Sequence, residues 1–130
     1  MQTLNQQEIA YLESQRLGRL ATANADGQPH ATPVGYRYNT DTGTIDIGGY
    51  NLASTRKARD IRENPSVSFV VDDLESIKPW RPRGITIRGS AVLLHDPETS
   101  GSGPFGSTRI QVTPERVVSW GLETPVFAAR

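Results

Sequence analysis

Hydrophobic positions near the start of the chain recur at helical spacing and then give way to alternation. Leu4, Ile9 and Leu12 share one side of a segment that Asn5 can cap. Glu8 sits three residues on, as in a capping box, and Leu4 and Ile9 hold the two positions of a hydrophobic staple. A helix is predicted there, ending before Gly18. From Arg19 the period drops to two. Arg19–Ala23 reads as a strand, Asn24–Gly27 as a turn, and about Pro29–Tyr38 as the next strand. Asp41–Gly43 turns the chain again, and Thr44–Gly48 alternates polar with apolar, so the first third is expected to be a β-meander. A second helix is predicted over roughly Ser54–Asn64, limited by Pro65. Val67–Val71 is a buried strand and Gly84–Leu94 a long one, with Gly89 as a bulge or bend. Arg109–Thr113 and Glu115–Trp120 are final strand segments, interrupted at Pro114. Two stretches read as loops: the polar Asp72–Arg83, and the Gly/Ser-rich stretch over 95–108, which is expected to be flexible.

This pattern predicts a mainly β protein. Six antiparallel strands and one or two short helices form a closed or nearly closed barrel, with residues 1–130 as a single domain. A chain of 130 residues fits one domain and can bury enough surface to fold without a covalent staple. It has no cysteine, which excludes thiolate chemistry and agrees with a cytoplasmic location. The 14 basic and 14 acidic side chains cancel, which argues against a nucleic-acid binder. No apolar run approaches membrane length, and residues 1–13 lack the features of a signal peptide.

The usual catalytic motifs are missing. The two histidines, His30 and His95, have no metal-site spacing, and no metal is expected. There is no nucleophile elbow, no phosphate-binding Gly-rich loop and no evident pair of carboxylates. The helix beginning Ser54-Thr55-Arg56-Lys57-Ala58-Arg59 is more informative. Cations at a helix N-terminus oppose the helix dipole. Hydroxyls, free backbone N–H groups and adjacent cations together form an anion cradle. The same residues also suit an ordinary solvated helix, with Asp60 and Glu63 as charge partners, and both readings stay open on residues alone. Thr32-Pro33-Val34-Gly35-Tyr36 is the second signal. Pro33 belongs on an edge strand and Gly35 admits close approach, so this strand has one side suited to a flat ligand, or is simply an edge. Trp80, between prolines in a polar loop, needs a packing partner: a ligand ring, another subunit or its own barrel. Trp120 and Tyr50 are assigned to the core or an interface.

These segments carry a family resemblance. The Asp26-Gly27 turn, Thr32–Tyr36, Gly48-Gly49-Tyr50-Asn51 and the run Thr55–Ser66 together resemble the pyridoxamine 5'-phosphate oxidase-like split β-barrel superfamily. Asp72-Asp73, Pro79-Trp80-Arg81, Arg83-Gly84 and Val118–Leu122 look most similar to actinobacterial flavin/deazaflavin oxidoreductases of the B class. Those proteins use coenzyme F420, and the branch includes reductases of tetracycline biosynthesis. The resemblance spans about Leu17–Leu122. It implies a six-stranded split barrel and a homodimer with two cofactor sites between subunits. It also implies hydride transfer from reduced F420 to a conjugated enone in a small-molecule substrate, possible without a protein nucleophile; the catalytic residues stay unassigned. Lys57 matches the phosphate-binding lysine, with Ser54, Thr55 and Arg56 beside it. Thr32, Pro33 and Val34 match the strand along the cofactor ring, and Gly48 and Gly49, with Asn51 following, the stretch beside it. Trp80 falls where a loop reaches across from the partner. The alternatives are FMN in place of F420, or a non-catalytic carrier of deazaflavin, flavin or haem. The short stretch after His95 departs from relatives that carry a helix there.

Overall fold

The computed structural model describes residues 1–95 and 108–123. Helix α1 (Gln6–Ser14) starts with the expected reciprocal cap: Asn5 accepts from the Glu8 N–H at 2.8 Å, and Glu8 accepts from the Asn5 N–H at 2.9 Å. Its buried side carries Tyr11 and Leu12, with Leu4 buried ahead of the cap and Ile9 packed against the core. The strands are β1 (Leu17–Ala23), β2 (Pro29–Gly35), β3 (Arg37–Asn39), β4 (Thr44–Ile47), β5 (Ser66–Ser76), β6 (Arg81–His95) and β7 (Thr108–Trp120). A short 3-10 turn (Leu52–Ser54) leads into α2 (Arg56–Glu63) between β4 and β5.

All strand pairs are antiparallel, in the order β2-β1-β5-β6-β7-β4-β3. The strands at the two ends of that order are joined through Tyr36 alone. In a flat sheet, strands six places apart would be separated by roughly 29 Å. Two chain steps reach at most about 7.6 Å. The sheet therefore curls until its edges meet, and a barrel results. Its interior is filled by Leu20, Phe69, Val71, Ile85, Ile87 and Ile110, all fully buried, together with Ile45, Ile47 and Val112. Residues 4–122 contribute to this one core.

Three expectations are corrected in detail. The strand expected from Pro29 to Tyr38 is two strands, broken at Tyr36, because β2 pairs with β1 while β3 pairs with β4 at the opposite edge. This gives seven strands rather than six, and the first third is two hairpins across the seam rather than a meander. The polar stretch Asp72–Arg83 is mostly strand. β5 and β6 are paired from Ser66↔Ser90 to Ser76↔Arg81, with one register shift between Leu74 and Ser76, leaving only residues 77–80 as the hairpin tip. Pro82 is tolerated there because it lies near the hairpin end, opposite Leu74. β7 runs through Pro114 without a break: the register shifts between Arg88 and Gly89, and Pro114 faces Gly89. A Cβ at Gly89 would sit 2.0 Å from the Thr113 carbonyl oxygen, so this bulge requires glycine. Of the loop expected over 95–108, His95 and Thr108 are paired strand ends, and the rest lies outside the described residues.

Helix α1 is fastened to the barrel at two points. Tyr36 donates from its hydroxyl to the Leu12 carbonyl at 2.5 Å and sets its ring edge-on to Phe69. Tyr11 donates to Asp73 at 2.8 Å, and Arg83 grips the same carboxylate through two nitrogens at 2.8 and 3.2 Å. Removing the carboxylate leaves a nearly buried guanidinium without its counter-charge. Asp73→Ala is therefore expected to cost about 3 kcal/mol, seen as a lower urea midpoint with an unchanged slope. Burial, and for Tyr11 also Asp73, pushes both phenols above the ordinary tyrosine value of 10.0. Since the folded state favours the neutral phenols, their contribution is complete below pH 10 and falls as pH climbs beyond it. Denaturant midpoints measured from pH 8 to 11.5 should show this decline, and Tyr11→Phe should flatten it.

Candidate functional site

A cavity of about 550 Å³ opens where the sheet edges meet. One wall is the end of β2 and the seam itself, Pro33 to Tyr36; the other is the end of β4 and the stretch after it, Asp46 to Tyr50. Lys57 reaches it from α2, Arg37 from β3 and Arg109 from β7. This volume falls in the range of small-molecule sites.

The walls suit a flat ligand. β2 is an edge strand, so no neighbouring strand occupies its outer side, and Val34 is buried beneath. A Cβ built at Gly35 or Gly48 would meet no protein atom within 4 Å, and at Gly49 only Leu52 at 3.7 Å. These glycines therefore line the cavity without being required by packing, and the bare backbone allows a planar ring to lie close to both walls.

The polar groups are mostly cationic. Arg37, Lys57 and Arg109 line the cavity with one carboxylate, Asp46. Helix α2 begins at Thr55, whose hydroxyl accepts from the Ala58 N–H at 3.3 Å and donates to the Leu52 carbonyl at 2.6 Å. The first intrahelical bond runs from the Arg59 N–H to Thr55, so the N–H groups of Arg56 and Lys57 precede it and can hold an anion. The charge partners expected on this helix are used elsewhere. Asp60 is buried and accepts from Thr22 at 2.8 Å, and Glu63 accepts from the Ala25 N–H at 3.1 Å. Among the described residues no carboxylate pairs with Arg56, Lys57 or Arg59.

Of the residues singled out in the sequence, Pro33, Val34, Gly48, Gly49 and Lys57 line the cavity together. Thr32, Asn51 and Arg56 adjoin wall residues in the chain without lining the cavity, and Ser54 and Thr55 lie in the turn between Tyr50 and Lys57. Asn51 holds a left-handed conformation (φ 52°) that starts the 3-10 turn, and its carbonyl accepts from the Ser54 hydroxyl at 2.9 Å. Trp80 is 66% exposed at the β5–β6 hairpin tip, away from this cavity. Tyr50, assigned to core or interface, is instead 71% exposed on the cavity wall, and Trp120 lies on the outer face across Gly84. Arg37, Asp46 and Arg109 were not foreseen. Of the two tyrosines at the cavity, Tyr36 has its hydroxyl committed to α1, which leaves Tyr50 with an exposed phenol.

Comparison with known proteins agrees with this geometry. Residues 4–121 match the family described as pyridoxamine 5'-phosphate oxidase. The chain is similar to a 5a,11a-dehydrotetracycline/5a,11a-dehydrooxytetracycline reductase of Streptomyces rimosus, with 38% identity over 118 residues, 91% of this chain and 83% of the relative. Among solved structures it resembles a conserved hypothetical protein of Mycobacterium tuberculosis, with TM-score 0.71, 26% identity and coverage of 93% and 87% of the two chains. It also shares the fold of a FAD-binding protein of Mycobacterium smegmatis, with TM-score 0.66, 20% identity and coverage of 92% and 96%.

The glycine walls can be tested directly. In Gly35→Val and Gly48→Val the added Cβ meets no protein atom within 4 Å, so each should change stability by less than about 1 kcal/mol. Each should weaken binding of FMN, used as a flat anionic probe, by about tenfold or more in a fluorescence titration.

Proposed function

The chain belongs to the pyridoxamine 5'-phosphate oxidase family, and on that premise we propose that it is a coenzyme F420-dependent reductase of small conjugated enones. The observation that carries this reading is the cavity itself: two ring-admitting glycine walls, with Lys57 from the start of α2 in its lining. When bound, the reduced deazaflavin supplies a hydride to the electron-poor alkene, and a proton completes the addition. The protein's own contribution is to bind and orient. Lys57 and the N–H groups of Arg56 and Lys57 hold the cofactor phosphate. Pro33 and Val34 on one side, and Gly48 and Gly49 on the other, bracket the ring. Arg59 and Arg56, exposed on the same helix, suit the acidic tail that distinguishes F420 from FMN. The resemblance to a dehydrotetracycline reductase supports a polycyclic enone as acceptor. Tyr50 or water serves as proton source.

The same reading includes a homodimer. The outer face of the sheet exposes Leu74, Val118 and Trp120, and the hairpin tip exposes Ile77 and Trp80. Apolar groups of this size gathered on one face suit a subunit interface. Trp80 would then reach the partner's cofactor.

Lys57→Ala should weaken F420 binding by about 10- to 100-fold in a titration followed by tryptophan fluorescence, the size of a lost charge-assisted hydrogen bond. Arg59→Ala should weaken F420 while leaving FMN little changed. Equal tolerance of both variants would contradict the phosphate assignment. Sedimentation should give a dimer, and Val118→Asp with Trp120→Asp a monomer. FMN bound more tightly than F420 would favour the flavin-oxidase alternative.

A further inference from the structure

The part of the cavity wall supplied by β3, β4 and β7 is also charged, and the sequence motifs do not account for it. Asp46 is 93% buried yet lies on the cavity wall, on the strand face opposite that of Ile45 and Ile47. It is directly opposite Arg37 in the β3–β4 register and opposite Gln111 in the β4–β7 register, which brings Arg109, two residues along, to its other side. Its carboxylate accepts short hydrogen bonds from two neutral donors, Asn39 and Thr44, both at 2.9 Å. The two guanidiniums stand farther off, Arg37 at 3.7 Å and Arg109 at 4.0 Å. Asp46 is thus satisfied by Asn39 and Thr44 and acts on the arginines through charge at a distance. Among the described residues Arg37 makes no side-chain hydrogen bond. Among the described residues that line the cavity, these two cations stand beside the one carboxylate, Asp46.

We propose that Arg37 and Arg109, oriented by Asp46, form a second anion-binding pole that takes a planar oxyanion of the acceptor substrate, a carboxylate or an enolised 1,3-dicarbonyl. This extends the reductase reading above, since it gives Lys57 and the start of α2 to the cofactor phosphate and the arginines of β3 and β7 to the substrate. Guanidinium groups bind planar pairs of oxygens through parallel N–H donors, a geometry that an ammonium lacks. Asp46 is a positioning residue here. It keeps the two cations apart from each other's repulsion and aimed along the wall, without touching the ligand itself. A substrate fixed at this pole and a cofactor fixed at Lys57 would be held by separate groups of one cavity. Selectivity between acceptors would then depend on their acidic group.

The test uses 2-naphthoate and its neutral amide as probes, titrated into the cofactor-free protein and followed by probe fluorescence. Wild type should bind naphthoate about tenfold or more tightly than naphthamide, the size of one charge-assisted hydrogen bond. Arg37→Gln with Arg109→Gln should bring that ratio close to one, while Lys57→Ala preserves it. Arg37→Gln alone, on an exposed side chain, gives the same direction should the double variant fold poorly. Loss of the ratio in Lys57→Ala but not in the arginine variants overturns the proposal, because the anion then sits at α2. A parallel F420 titration separates the two possible sources of the anion. Affinity unchanged in the arginine variants supports a substrate pole, and affinity lost shows that they hold the cofactor's acidic tail and overturns it. Wild type that binds no F420 but keeps the naphthoate preference removes the cofactor reading and leaves the pole standing.

Discussion

Tyr36 is the residue on which the rest of the architecture depends, because it alone joins the first and last strands of the sheet. That link imposes closure, and closure places four features side by side: the open edge of β2, the end of β4, the start of α2 and the middle of the β3–β4–β7 ladder. The same residue ties the seam inward. Its ring meets Phe69 and its hydroxyl caps the end of α1, so the helix that opens the chain also braces the cavity wall. The cavity is therefore a consequence of how the sheet closes.

The electrostatics follow from this placement. Helix α2 starts with cations that its own dipole disfavours, and its two carboxylates are spent on Thr22 and Ala25. An anion in the cavity would convert that local conflict into attraction. At the seam end, closure covers the polar face of β4, so a buried carboxylate must be satisfied there, and Asn39 and Thr44 do so at short range. The cavity lining combines Arg37, Lys57, Arg109 and Asp46 with glycines that leave backbone bare, which matches a flat ligand with charge at its periphery.

Much of this was legible in the sequence where the signal is local. The Asn5–Glu8 cap, the existence of α2 ahead of Pro65, the Gly89 bulge and the edge character of β2 each follow from a few neighbouring residues. Five of the eleven residues proposed for the site meet at one cavity. What escaped is long-range. Thr44-Ile45-Asp46-Ile47 alternates as a half-exposed strand would, and alternation cannot reveal that the barrel covers the polar face too, so Asp46 and its arginines went unnoticed. Arg109 lies more than sixty positions from Asp46 and meets it only through the register of β7. The β5–β6 hairpin looked like a loop because prolines and charges signal turns, whereas ten paired positions carry it nearly to the tip. The missing seam had the same cause, since nothing local distinguishes one bent strand from two strands at opposite edges.

The most direct measurement is a crystal structure of the protein co-crystallised with F420. The account predicts the deazaflavin ring between Pro33-Val34 and Gly48-Gly49, with its phosphate on Lys57 and the first N–H groups of α2. A cofactor bound elsewhere, or turned so that its phosphate lies against Arg37 and Arg109, would contradict it.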